Sequence, residues 1–110
     1  MPKRNDKLLL TDMLEAVSSI FEYVGTMDFN SFINDKKTID AVVRNFEIIG
    51  EASKMISEDT KTFYPMIEWR EMTDFRNVLI HNYFGIDYTI LWDAINNMLP
   101  FNYEMLKRVI

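Results

Sequence analysis

Apolar residues recur at helical spacing along most of the chain. Between residues 7 and 24, Leu10, Met13, Leu14, Val17, Ile20, Phe21 and Val24 follow the i, i+3, i+4, i+7 order of an amphipathic helix. Asp12, Glu15, Ser18 and Glu22 supply its polar side, and Gly25 is a natural stop. A short turn with Asp28, Asn30 and Ser31 as capping residues leads into a second helix, from about Asp35 to Ile56. Its buried stripe is Ile39, Val42, Val43, Phe46, Ile49 and Ser53. Gly50 interrupts that helix at a cost of about 1 kcal/mol relative to alanine, and close approach of a neighbouring helix is the expected reason. Arg44, Glu47 and Glu51 lie on its flanks, where charges ordinarily form a solvated face.

Residues 57–67 read as a connector, polar from Ser57 to Thr62 and interrupted by Pro65. A third helix begins at Ile67 to Trp69 and runs towards Gly85. Asp87 caps a fourth, with the stripe Ile90, Leu91, Ala94, Ile95, Met98 and Leu99. Pro100 should kink or briefly break it before Phe101, Met105, Leu106 and Val109 resume the pattern. The expected architecture is all-α: one domain over residues 1–110, an antiparallel up-down four-helix bundle with an additional short or kinked helix, forming a homodimer.

Composition narrows this without changing it. Only 3 Gly and 3 Pro occur, with no Asn-Gly or Asp-Gly pair, which argues against hairpins. With no Cys there are no disulfides and no thiolate metal sites. Leu8-Leu9-Leu10 is too short an apolar run for a signal peptide or a membrane span, so a cytoplasmic protein with no membrane partner is expected. The aromatic count is high for one small core, with Phe 8, Tyr 5 and Trp 2. Tyr83, Phe84, Tyr88, Trp92 and Phe101 are therefore candidates for a subunit interface, core filling being the competing explanation. The net charge of −5 provides no bulk field to attract nucleic acid, so contacts to RNA would have to be local or shared with a partner.

One stretch breaks the pattern, residues 76–85. Met72, Phe75, Leu79 and Tyr83 form the apolar stripe of the third helix, and Arg76 sits inside it. A guanidinium is not buried unpaired, so the stripe opens there or Arg76 meets a partner. His81, the single histidine of the chain, lies on a more polar face with Asp74, Asn77 and Val78. Asn77, four residues before His81, is placed to orient its imidazole. At about 100° per residue, Arg76 and His81 point about 140° apart, so they converge only where the helix ends or unwinds, or in a site shared between subunits. Residue type alone favours a capping or dipole contact for a lone histidine near a helix end.

A metal site is not expected, since no Cys, second His or paired carboxylates stand at ligand spacing around His81. Metal-free RNA cleavage is chemically open: a 2′-OH attacks the adjacent phosphate while a base takes its proton and a cation stabilises the phosphorane. Imidazole can act as acid or base near neutral pH, and arginine offers a bidentate phosphate contact. Acid and base are both wanted but only one histidine is present, and a symmetric dimer would supply the second.

Arg76-Asn77-x-x-x-His81-x-Tyr83 resembles the R-N-x-x-x-H-x-Y motif of HepT-like toxins of the HEPN superfamily. The similarity extends to the block Phe46-Glu47-Ile48-Ile49-Gly50-Glu51-Ala52, to Trp69-Arg70-Glu71-Met72, and to Tyr83-Phe84-Gly85-Ile86-Asp87 with Trp92. The resemblance implies an α-helical homodimer with metal-independent endoribonuclease activity and no cofactor, acting as the toxin of a type VII-like toxin-antitoxin system. Arg76 and His81 map onto the family's catalytic pair in a cleft between subunits, and Asn77 onto the polar residue that supports it. Tyr83 maps onto the tyrosine to which a cognate minimal nucleotidyltransferase antitoxin adds AMP. Negative charge added beside the Arg-His pair would repel RNA. Two other classes of reading compete. One is a non-catalytic nucleotide-binding or partner-binding subunit of a nucleotidyltransferase complex; the other is a purely structural helical dimer.

Overall fold

The computed structural model describes residues 5–82 and 85–109. Among them all regular structure is helical and none is strand. The first helix, α1, spans Asp6–Val24, capped by the Asn5 side chain, which accepts from the Leu8 N–H. Gly25 ends it at φ 53°, a left-handed conformation that favours glycine. The expected turn contains a short helix, α2 (Phe29–Ile33), capped by Asp28 and burying Phe32. The long helix α3 follows at Lys36–Met55, capped by Asp35.

The connector after α3 is more ordered than its polarity suggests. Ser57 caps a further short helix, α4 (Glu58–Phe63). The Asp6 carboxylate accepts from the Ser57 N–H at 3.0 Å, from Ser57 Oγ at 2.6 Å and from Thr60 Oγ1. One carboxylate thus serves the N-terminal ends of two helices, where negative charge is favoured. Burial pushes the Asp6 carboxyl up, but these hydrogen bonds outweigh it and hold it below its ordinary value.

The next helix, α5, is Trp69–His81; it starts within the expected range and ends at His81, short of Gly85. Its start is secured from elsewhere in the chain. Glu68, the N-cap, makes no side-chain cap bond; instead its N–H donates to Oδ1 of the buried Asn102 at 2.9 Å. Asn102 Nδ2 returns hydrogen bonds to Glu68 Oε1 and the Met98 carbonyl. The last segment comprises α6 (Tyr88–Asp93), a π-helical turn (Ala94–Met98) and α7 (Leu99–Val109). The kink expected at Pro100 therefore appears one turn earlier, as helix widening. A proline ring would collide with the carbonyl four residues before it, that of Asn96, and the π turn opens that spacing. In the widened turn the Leu99 N–H reaches the Ala94 carbonyl, five residues back.

The core is shared by α1, α3, α5 and the 88–109 segment. Met13, Ile20, Phe32, Phe46, Ile49, Met72, Leu91, Leu99 and Leu106 are fully enclosed. α3 packs along both α1 and α5, and α7 along α1. Ile90, expected in the buried stripe, is 52% exposed, because Leu91 rather than Ile90 turns inward. Trp92 is partly buried and packs on the core against Phe29 and Phe32, whereas Tyr88 and Phe101 are exposed. No helix among the described residues is long and apolar enough to cross a membrane.

Candidate functional site

α5 carries the site because of how closely it lies on α3. A Cβ placed on Gly50 would fall 2.1 Å from Arg76 Cβ, 2.8 Å from Arg76 Cγ and 2.9 Å from the Met72 carbonyl oxygen. Only a residue without a side chain lets the stem of Arg76 cross the backbone of α3. Thr73 Oγ1 bonds the Trp69 carbonyl at 3.0 Å and reaches the Gly50 carbonyl at 3.5 Å. Ser53, fully buried, donates to the Trp69 carbonyl at 2.6 Å. Phe46 and Phe75 meet edge to face on the same interface, with centroids 4.8 Å apart.

Arg76 passes over Gly50 and emerges half-buried, its side chain 23% exposed. Nη2 pairs with Glu51 Oε2 at 2.8 Å, and Nη1 donates to Asn77 Oδ1 at 3.0 Å. An intrachain ion pair therefore resolves the problem of an arginine within an apolar stripe. Glu51 is the contributor that its flank position, one of several charges there, did not single out. Gly50 immediately before it was the available signal, because a close approach at residue 50 brings the side chain at 51 within reach of whatever crosses.

α5 remains α-helical through His81 and ends there, with Asn82 as the C-cap. His81 is exposed and makes no side-chain hydrogen bond among the described residues. Asn77 does not orient His81; its amide oxygen is taken by Arg76. That bond draws the guanidinium round the helix. Asn77 projects about 40° from His81, against about 140° for Arg76, so the charged head lies nearer the histidine face than its Cβ does. Tyr83 and Phe84 lie outside the described residues. Among the described residues, no three His, Cys, Asp or Glu side chains gather as a potential metal site.

An all-α scaffold that holds an oriented, half-buried guanidinium and, five residues on along the same helix, an exposed imidazole carries one group able to bind a phosphate and one able to move a proton, though a single chain projects them about 140° apart. The chain belongs to the HepT-like ribonuclease family, whose pattern, described as Ribonuclease HepT-like, matches residues 13–109. It is 47% identical over 98 residues to a Thermococcus cleftensis protein named "Probable ribonuclease HepT", covering 89% of each chain. It is 41% identical over 110 residues to a Methanocaldococcus jannaschii protein named "Putative RNase MJ0127", covering all of this chain and 91% of that one. A second protein of that organism, named "Putative RNase MJ1380", is 45% identical over 100 residues, covering 91% of this chain and 92% of the relative. No solved structure matches the chain.

Proposed function

We propose that this protein is an endoribonuclease that cleaves RNA without a metal ion, with Arg76 and His81 as its catalytic pair. Membership of the ribonuclease family supports the activity. The observation that carries the residue assignment is the treatment of Arg76: a glycine at position 50 clears its path, and Glu51 and Asn77 hold its guanidinium in place, five residues before an exposed imidazole. Such investment in one side chain is not needed for a surface ion pair, which contributes little to stability.

In this reading the RNA 2′-oxygen attacks the adjacent phosphorus, its proton leaves to a base, and the 5′-oxygen departs with a proton from an acid. His81 supplies one of these proton transfers. Arg76 stabilises the charge that builds on the non-bridging oxygens of the phosphorane. Two copies of the chain, each an antiparallel up-down bundle of its four long helical segments, would join as a homodimer and place a second His81 in one cleft. We infer further that the enzyme is the toxin of a type VII-like toxin-antitoxin pair, silenced by AMP addition to Tyr83 by a minimal nucleotidyltransferase. The charge on that group would exclude RNA from the cleft.

The test is cleavage of a structured RNA in chelator by the wild type, His81→Ala and Arg76→Ala, with circular dichroism confirming helical content. The expected result is wild-type cleavage lost in both variants, by a factor on the order of 100 or more for each. His81→Ala cleaving at the wild-type rate would remove the assignment. Sedimentation at micromolar concentration tests the dimer, and incubation with ATP and the partner nucleotidyltransferase, read by intact mass, tests modification of Tyr83.

A further inference from the structure

Beside the Arg76 site, a cleft of about 620 Å³ opens where α3, α4 and the start of α5 meet. Three cations from three helices rim it: Lys54, Lys61 and Arg70. Ile67, Trp69 and Thr73 line it between them. Glu58 and Glu71 share the lining, so the cleft carries three cations against two carboxylates, a local positive balance on a chain whose net charge is −5.

Each cation keeps donors to spare. Lys54 has no carboxylate partner among the described residues. Lys61 Nζ donates to the Lys54 carbonyl at 3.4 Å, forms an ion pair with Glu58 at 3.8 Å and lies within the field of Asp6. Arg70 forms an ion pair with Asp74 through Nε at 3.9 Å, with both side chains largely exposed. Glu71, the remaining carboxylate at the cleft, projects from α5 about 100° beyond Arg70.

The cleft is also aligned with the site. On α5, Arg70, Asn77 and His81 project within about 40° of one another, and Arg70 precedes Arg76 by about 9 Å of helix rise. On α3, Lys54 is one turn beyond Glu51, the residue that holds Arg76. Three cations on one cleft offer several contacts to a strand whose charge repeats along its backbone, as single-stranded nucleic acid does.

We propose that Lys54, Lys61 and Arg70 form a phosphate subsite that holds the RNA backbone on the side of the scissile phosphate facing the start of α5. The proposal rests on the RNA-cleavage reading above. It explains how an acidic protein retains an RNA strand: local contacts replace the missing bulk field, and the substrate is gripped away from the reacting atoms.

The test is binding of a 2′-O-methyl RNA oligonucleotide, which lacks the attacking hydroxyl, followed by fluorescence anisotropy over a range of salt. The proteins are the wild type, the Lys54→Gln/Arg70→Gln double variant and the charge-keeping Lys54→Arg/Arg70→Lys double variant. Lys61 is spared because its anchoring to α3 could affect folding. The subsite predicts binding about 10-fold or more weaker in the Gln pair, with the salt slope of log Kd reduced by about 1.4, about 0.7 per lost single-strand phosphate contact. The charge-keeping pair should stay within about 3-fold of wild type. In cleavage assays the Gln pair should raise KM more than it lowers kcat. If the Gln pair binds with wild-type affinity and slope while the wild type still cleaves RNA, the subsite is wrong and the enzyme assignment stands. If the wild type neither binds nor cleaves RNA, both fail.

Discussion

Gly50→Ala is the most direct probe of how α3 and α5 meet. In an exposed helix the change would stabilise, by about 1 kcal/mol from helix propensity. Here the new methyl would lie 2.1 Å from Arg76 Cβ and 2.9 Å from the Met72 carbonyl oxygen. Carbon atoms pack at about 3.5–4.0 Å, so the first contact is short by about 1.5 Å. Neither neighbour is the free end of a flexible side chain, so the helices themselves must part. Overpacking of this kind costs about 1–3 kcal/mol, and the displacement spans a boundary that also includes the Phe46–Phe75 pair and the Ser53 hydrogen bond. The upper half of that range is expected, and propensity offsets part of it, leaving a net loss of about 1–2 kcal/mol. For a chain of this length that lowers Tm by about 4–8 °C. Thermal and urea unfolding at matched protein concentration measure it. Cleavage should fall further than stability does, since Arg76 moves away from Asn77 and His81. A variant that melts at or above the wild-type temperature would refute the close-approach reasoning.

Three other changes separate the contributions of single side chains. Glu51→Gln removes the charge that holds Arg76 Nη2; kcat should fall about 10-fold, about 1.4 kcal/mol, with KM unchanged or lower, and steady-state kinetics on a defined RNA would show it. Asn102→Ala strips the Glu68 N–H and carboxylate of their shared partner at the start of α5; a loss of about 1–3 kcal/mol in urea unfolding is expected, with amide exchange at the start of α5 rising first. Asp6 is held below its ordinary pKa, so the stability it adds is present above its unfolded value near 3.8 and lost as pH falls through the folded one. Asp6→Asn should therefore unfold more easily at neutral pH but show a flatter stability curve below about pH 5.

Much of the fold was legible because apolar periodicity reports directly on which helix faces meet a core. The stripes Leu10 to Val24 and Ile39 to Ser53 are buried almost residue for residue. The misreadings share a cause. α2 and α4 are too short to carry a periodic signal and exist because Asp28 and Ser57 cap them. The outward-facing Ile90 and the securing of the start of α5, where Asn102 reaches Glu68 across 34 residues, depend on the tertiary arrangement.

For the site, residue type and spacing establish which groups are present: an arginine out of place in an apolar stripe, an asparagine beside it, one histidine five residues on, and a glycine where a helix would prefer alanine. Those are local facts of residue type and spacing. That Gly50 and Arg76 are the two sides of one contact was decided by tertiary structure alone, as was the choice of Glu51 over Arg44 and Glu47 as the charged residue that matters. The same is true of Asn77 serving the arginine instead of the histidine. Hydrophobic periodicity specifies that α3 and α5 pack together, but an ion pair forms at 2.8 Å or not at all according to their axial register. That register is set by the volumes meeting at the interface, summed over both helices.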